Sequence, residues 1–148
     1  ATKAALEEGI VPGGAIALLD ISTRMKLDPK GSADEVSGYQ IVKNALEAPF
    51  KKLIENAGYD PGQLIAKARA GAGTGQGFDV LSLESAETAT PVDMLKVGIV
   101  DPLKVVRTAV QNAISVATMI LTTEALITDL PEKTPPPPPG GMPGGMDY

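Results

Sequence analysis

Apolar residues recur at helical spacing along most of the chain, and this pattern constrains the fold more than any other feature. Gly and Pro, residues that end or interrupt helices, separate the segments that share the spacing. The pattern predicts helices at 1–8, 16–25, 34–46, 50–56, from 61 onwards, and 103–123. We expect Asp34 to cap the third of these, and Pro49 to bend or interrupt the helix before residue 50. The last is the longest, with Pro102 at its first position and Asp101 as its cap.

Shorter elements are predicted between and after the helices. The Gly-rich stretch 71–77 is followed by a β-prone run at 78–83 and a return strand at 88–92, which together predict a small hairpin. Residues 126–130 predict a short closing strand. The Pro and Gly content of 133–148 is typical of a disordered tail. The predicted fold class is therefore mainly α and multihelical, with a small β-hairpin and a disordered C-terminal tail.

Composition excludes several kinds of chemistry. The chain has no Cys and no His, so disulfides, thiol nucleophiles, imidazole bases and most zinc sites are ruled out. Two Phe, three Tyr and no Trp leave a core built from aliphatic side chains. A net charge of −5 disfavours binding to nucleic acid or to anionic membranes. No apolar run has the length of a membrane span, so we expect a soluble intracellular protein without nucleic-acid or membrane partners.

Two local features are candidates for contact with an anionic ligand. Gly13 and Gly14 precede a helix, and its N-terminal amides together with the absence of a Cβ on glycine suit a close approach by a nucleotide. On pattern alone, a plain helix start is the simpler explanation. Asp101 precedes Pro102 and is explained most simply as a helix cap. The glycine stretch 71–77 lacks the spacing of a phosphate-binding loop and is interpreted as a connector.

Four segments, in order, resemble group I chaperonins of the GroEL family. They are ATKAALEEGIVPGGAIAL, NALEAPFKKLIENAG, VGIVDPLKVVRTAVQNAISVATMILTTEALITDLPE and the terminal GGMPGGMDY. The resemblance covers nearly the whole chain. It implies that residues 1–8 end an intermediate-domain helix, that 9–132 form the C-terminal half of the equatorial domain, and that 133–148 form the disordered tail. It also implies a chain that corresponds to the C-terminal part of the subunit, as the absence of an initiator Met also suggests.

The resemblance implies a nucleotide site in this segment. Gly14 aligns with the family's glycine that packs against the nucleotide, and Asp101 aligns with its ribose-side aspartate. On the adenine side the family usually has Asn-Ala-Ala, where this chain has Asp79, Val80 and Leu81. An aspartate accepts from an adenine amino group but cannot donate to a ring nitrogen. The predicted hairpin that includes these residues is also about six residues longer than the hairpin of the family pattern, and connections in proteins are usually short.

The remaining parts of the ATP machinery are expected elsewhere. The resemblance places the phosphate loop, the Mg²⁺ ligands and a hydrolytic aspartate before Ala1, so no catalytic or metal-binding residue is predicted within this chain. The cofactors implied are ATP and Mg²⁺. We expect the intact subunit to be a chaperonin ATPase and this chain alone to be inactive. Lys51 and Asp60 are predicted to contribute to contact between rings.

The implied partners are those of a folding cage. They are identical subunits in a ring of seven, stacked as two rings, a co-chaperonin of the GroES type, and unfolded client proteins. The expected location is the cytoplasm, as in bacteria, with an organelle as the alternative. A different class of function stays open, in which the chain is a stand-alone helical scaffold or interaction module without ATPase activity.

Overall fold

The structure, a computed structural model, describes residues 1–27, 31–125 and 127–129. Helices dominate this part of the chain, which confirms the predicted mainly α class. In chain order the elements are α1 (Thr2–Glu8), β1 (Ile10–Pro12), α2 (Ile16–Arg24), α3 (Ala33–Asn56), α4 (Pro61–Ala70), β2 (Gln76–Gly77), β3 (Val92–Asp93), β4 (Val100–Pro102) and α5 (Leu103–Leu121). No helix in the described ranges is both long and apolar enough to span a membrane.

Two antiparallel pairs of short strands join distant parts of the chain. β1 pairs with β4, with Val11 opposite Asp101, a pairing that the sequence did not predict. β2 pairs with β3, with Gln76 opposite Asp93. The predicted hairpin is therefore present, but its strands at 78–83 and 88–92 are wrong in extent. Phe78 turns into the core at 3% exposure, and 78–91 forms a long loop between β2 and β3.

Helix α3 is continuous where the sequence predicted an interruption. It runs from Ala33 to Asn56 with Pro49 inside it, and at 24 residues it is longer than the 19 residues of α5. A proline removes one backbone hydrogen bond and crowds the preceding turn. Two fully buried side chains in the next turns, Phe50 and Ile54, hold the helix in place after the proline. Core packing therefore outweighs the local preference for a break.

The start of α3 also differs from the prediction. Ser32, not Asp34, is the cap, and it forms a capping box with Glu35. The Ser32 hydroxyl accepts from the Glu35 amide at 3.3 Å, while the Glu35 carboxylate accepts from the Ser32 amide at 2.6 Å. This reciprocal pair satisfies two amides that a single Asp cap would not. Residues 28–30, between the predicted helices at 16–25 and 34–46, lie outside the described part.

The core is mainly aliphatic, as predicted, although both Phe residues belong to it, and it is formed mainly by α2, α3 and α4. Its fully or largely buried members are Ile16, Leu19, Phe50, Ile54, Leu64, Ile65, Ala68, Phe78, Ala89 and Met94. Leu64, Ile65 and Ala68 form the buried face of α4, the helix predicted from residue 61 onwards. The two Phe rings, Phe50 and Phe78, meet with centroids 6.4 Å apart, so the loop after β2 is packed onto α3.

Helix α5 lies outside this core and has no buried residue. Pro102 occupies its cap position and Asp101 belongs to β4, so the prediction that Asp101 caps the helix is wrong. Together with α3, α5 lines an apolar groove of about 430 Å³. Of the predicted strand at 126–130, residues 126 and 130 lie outside the described part and 127–129 form no strand. The tail at 133–148 also lies outside it.

Candidate functional site

The Gly13–Gly14 turn connects β1 to α2 and is packed too closely for side chains. The Gly13 amide donates to the Ile99 carbonyl at 2.9 Å, and a Cβ on Gly13 would lie 3.0 Å from the backbone of Ile99 and Val100. Gly14 has a φ of +64°, and its Cβ would lie 3.0 Å from Met94 Cε. Glycine is needed at both positions for backbone reasons. The turn is thereby pressed against the segment that leads into β4.

Asp101 is brought to the same corner of the fold by the strand pairing. It lies opposite Val11 in the β1–β4 ladder, directly before the glycine turn. Its side chain lines a cavity of about 310 Å³ whose other walls include Ala15 from the start of α2, Pro49 from α3 and Val105 from α5. The structure thus brings together the glycine turn and Asp101, which are separated by most of the sequence.

The adenine-side residues lie elsewhere. Asp79, Val80 and Leu81 belong to the loop between β2 and β3 and do not line the cavity of Asp101. Asp79 Oδ1 accepts from the Leu81 amide at 3.1 Å, Val80 packs against the core, and Leu81 is 95% exposed. This local turn occupies one Asp79 oxygen. Gly14 does not line the cavity of Asp101 either, whereas the residue after it, Ala15, does.

Asp79 lines a second, more polar cavity of about 240 Å³. The loop itself forms it, with hydroxyl side chains of Ser82, Thr88 and Thr90 and the carboxylate of Glu84. A carboxylate and hydroxyls can accept hydrogen bonds from an amino group or from sugar hydroxyls. Neither cavity has a Lys or Arg among the described residues that line it, so neither offers a cation to a phosphate chain. The residues present fit the base and ribose of a nucleotide better than its phosphates.

No metal centre is evident in the ranges that the structure covers, since no three His, Cys, Asp or Glu side chains cluster there as metal ligands would. Mg²⁺ would need such oxygen ligands. The magnesium expected from the resemblance thus has no ligand set among the described residues.

Both predicted ring-contact residues have partners within the chain. Lys51 Nζ lies 3.2 Å from Glu47 Oε2, one turn away on α3. Asp60 is the N-cap of α4, and its Oδ1 accepts from the Gly62 amide at 2.9 Å. Asp60 is exposed, and the Lys51 side chain is 41% exposed. A neighbouring subunit that contacts Lys51 or Asp60 would therefore share that side chain with its present partner in this chain.

Sequence reasoning missed a buried charge: Glu47 of α3 is 1% exposed, at the contact with Arg69 of α4. Arg69 of α4 donates to Glu47 Oε1, and Lys51 approaches the other oxygen. Desolvation of the buried carboxyl disfavours its charge, but hydrogen bonds from Arg69 and Lys51 outweigh it and hold the pKa of Glu47 below its usual value. The signal that could have found it is the spacing of Glu47 and Lys51, four residues apart on one helix.

Two further ion pairs join α1 to α5. Arg107 donates to both carboxylate oxygens of Glu8, at 3.0 and 2.5 Å, and Lys104 pairs with Glu7. The hydrogen bond from Arg107 lowers the pKa of Glu8, and the hydrogen bond to Glu7 raises the pKa of Lys104. Directly after α1 the chain turns at Gly9, whose φ is +85°. The start of the chain is thus held onto α5 by charged contacts rather than by buried apolar surface.

Comparison with known proteins identifies the class to which this fold belongs. A model of the TCP-1/cpn60 chaperonin family matches residues 1–131, so the chain belongs to that family. Two mitochondrial chaperonins of Zea mays, CPN60-2 and CPN60-1, are each 44% identical to it over 149 residues, which cover 100% of this chain. The resemblance to group I chaperonins is thereby confirmed. The chain spans 25% of the length of these relatives.

A solved structure agrees in fold. The open-state monomer of a group II chaperonin from Methanococcoides burtonii superposes with a TM-score of 0.65 at 26% sequence identity. The match covers 77% of this chain and 28% of that one. The arrangement of helices described above is therefore similar to that of a group II chaperonin over the matched part.

The expected location needs correction. Cytoplasmic location of the bacterial type was predicted, whereas both maize relatives are mitochondrial proteins. The prediction of a cytoplasmic protein is wrong on this comparison, which points to an organelle.

Proposed function

We propose that this chain contributes the base-and-ribose side of the nucleotide site, and part of the ring contacts, of an ATP-dependent chaperonin subunit. The intact subunit would hydrolyse ATP and enclose non-native proteins in a ring-shaped cage. Membership of the chaperonin family supports the folding role. The observation that carries the nucleotide assignment is the β1–β4 register, which sets Asp101 opposite Val11, beside the glycine turn.

The proposed roles follow from the chemistry of each residue. Gly14, without a Cβ, allows a nucleotide to lie against the backbone at the start of α2. The Asp101 carboxylate accepts hydrogen bonds from ribose hydroxyls, and one oxygen of Asp79 remains available to an amino group of the base. Val80 and Leu81 would complete the base side. ATP supplies the phosphoryl group whose transfer drives the cage, and Mg²⁺ would be held by residues outside this chain.

The domain assignment belongs to the same proposal. Residues 1–8 would end an intermediate-domain helix, 9–132 would form half of an equatorial domain, and 133–148 would be the tail. The short, charge-mediated attachment of α1 to α5 supports a boundary near Gly9. The proposed partners are the six other identical subunits of a ring of seven, a second ring through Lys51 and Asp60, a co-chaperonin of the GroES type and unfolded proteins. The mitochondrial relatives favour an organellar location for the assembly.

A chimeric subunit tests the proposal. The 148 residues would replace the matching segment of the maize mitochondrial chaperonin CPN60-2, and ATP hydrolysis would be measured against ATP concentration. We expect Asp101→Ala to raise KM about 10-fold or more, since a hydrogen bond to a charged group contributes about 1.5–3 kcal/mol. Asp34→Ala, which removes an exposed carboxylate from α3, is the control and should leave KM unchanged.

Two outcomes would contradict this function. An Asp101→Ala chimera with the KM of the unmodified chimera would remove Asp101 from the site. An unmodified chimera that assembles but has no ATPase activity would show that this chain cannot supply its side of a working nucleotide site.

A further inference from the structure

Lys67 makes an unusual set of contacts outside the groups assigned above. Its ammonium donates to three main-chain carbonyls of the loop between β2 and β3, those of Ala86 at 2.9 Å, Glu87 at 2.7 Å and Ala89 at 3.1 Å. An ammonium has three N–H donors, so all of them are used. The side chain is half-buried on α4, 20 residues before Glu87 in sequence. We call this arrangement the Lys67 clamp.

The hydrogen bonds that the loop makes within itself are local, each joining residues two or three positions apart. Residues 78–91 lie between two strands of two residues each, and the Ser82 amide donates to the Asp79 carbonyl at 3.1 Å as a local turn. Besides the clamp, Tyr59 Oη donates to the Leu83 carbonyl at 2.6 Å. The oxygens of the three clamped carbonyls all point at the Lys67 ammonium. Without a cation there, the partial negative charges of these oxygens would repel one another. The loop conformation therefore depends on the Lys67 charge.

The clamp acts on the cavity that contains Asp79. Asp79 and Ser82 line that cavity from the first part of the loop, and Thr88, Ala89 and Thr90 line it from the last part. The Ala89 carbonyl also accepts from the Lys67 ammonium, and Ala89 is 7% exposed in the core. Lys67 thus fixes one wall of the cavity relative to the wall that carries Asp79.

We infer that Lys67 is a positioning residue for the base side of the nucleotide site. By holding residues 86–89 against α4, it fixes the shape of the polar cavity lined by Asp79, the residue proposed to meet the base. This inference rests on the proposed function, because it assumes that the Asp79 segment faces a nucleotide. It goes further than the proposed function because it assigns a specific support to the long loop between β2 and β3. That support is the Lys67 ammonium, which three carbonyls of the loop share.

The clamp can be tested on the 148-residue chain without nucleotide. Lys67→Met keeps the length of the side chain and removes its charge. We expect amides in 79–90 to exchange with deuterium about tenfold faster, the effect of losing one net hydrogen bond or more, while amides of α3 around Ile54 stay protected. Lys52→Met, which removes an exposed lysine of α3, is the control.

Chemical rescue separates the clamp from general destabilisation. Because the chain has no Cys, Lys67→Cys introduces a single thiol, which 2-bromoethylamine converts into a lysine analogue. Alkylation should restore the slow exchange of the loop. Lys67→Arg keeps the charge but presents a planar fork that cannot converge on three carbonyls, and its exchange rate should be intermediate.

The positioning role is tested in the chimeric subunit described above. Lys67→Met should raise KM for ATP about 3- to 10-fold, in line with one weakened base contact, with kcat within twofold of the unmodified chimera. Unchanged loop exchange in Lys67→Met would overturn the clamp. Faster exchange with an unchanged KM would overturn the positioning role and leave the proposed function intact. An inactive unmodified chimera would contradict the proposed function, and the exchange result would still decide the clamp.

Discussion

Arg69 of α4 donates a hydrogen bond to Glu47 of α3, a carboxylate that is only 1% exposed. The contact lies beside Pro49, where α3 loses a backbone hydrogen bond. Lys51 approaches the second carboxylate oxygen at 3.2 Å. The two cations compensate the cost of burying the charge and tie the two helices together.

This ion cluster should make stability depend on pH. The pKa of Glu47 is lower in the folded chain than in the unfolded chain, so the unfolded chain binds the proton more readily. Stability from this group is therefore present above the unfolded pKa and is lost as pH falls through the folded pKa. We expect the urea midpoint to fall between about pH 6 and pH 3, and Glu47→Gln to flatten that dependence.

Circular dichroism at a series of pH values measures the effect. Glu55→Gln, which alters an exposed carboxylate on the same helix, is the control and should keep the wild-type slope. The pKa values of Glu8, Glu35 and Asp93 are also lowered, so part of the slope should survive in Glu47→Gln. An identical slope in wild type and Glu47→Gln would show that the buried pair does not carry the effect.

Gly77 should not tolerate a side chain. A Cβ there would lie 2.4 Å from Ile16 Cγ1 and 2.9 Å from Met94 Sδ, in the centre of the core. We expect Gly77→Ala to destabilise the fold by about 2–4 kcal/mol through overpacking, measured by urea unfolding.

Gly38→Ala provides the matched comparison. Gly38 lies inside α3, and a Cβ there would meet nothing within 4 Å. The substitution should stabilise the chain by about 0.5–1 kcal/mol, because alanine loses less backbone entropy in a helix. Equal effects at the two positions would mean that the packing around Gly77 is looser than described.

The capping box predicts which residue starts α3. Ser32→Ala removes the hydroxyl that accepts from the Glu35 amide and should cost about 1 kcal/mol. Asp34→Ala, at the cap expected from sequence, should cost less, because it removes only a charge near the helix start. Thermal unfolding of the two variants measures the difference, and a larger loss in Asp34→Ala would reverse the assignment.

The isolated chain should bind ATP weakly and not hydrolyse it. Neither cavity presents a cation to the phosphates among its described lining residues, and phosphoryl transfer requires such charge stabilisation. Isothermal titration calorimetry and a phosphate-release assay measure the two properties. Micromolar affinity or turnover by the isolated chain would contradict this prediction.

Sequence reasoning succeeded where a long pattern or a strong local signal was present. The helical class and the apolar face of α4 follow from periodicity, and the proline-led start at Pro61 follows from cap chemistry. The β1–β4 pair could not be predicted in the same way. Three-residue strands carry no measurable period, and their partners, such as Val11 and Asp101, are far apart in sequence.

The errors have a common physical origin in tertiary contacts. Pro49 does not end α3 because Phe50 and Ile54 are buried beyond it, and Phe78 leaves the predicted strand because it packs on Phe50. Asp101 serves a strand instead of a helix cap because β1 is available as its partner. For the candidate site, local sequence indicated Gly14 and Asp101 but not the Lys67 clamp, since a lone lysine on a helix has many uses.

The separation of α5 from the core has a consequence for how the chain comes apart. Helix α5 has no buried residue and is joined to the rest by β4 and by the charged pairs to α1. Unfolding should therefore proceed in two stages, with α1 and α5 releasing at mild denaturant while α2, α3 and α4 remain packed. A single free energy of unfolding would then describe the three-helix core and not the whole chain.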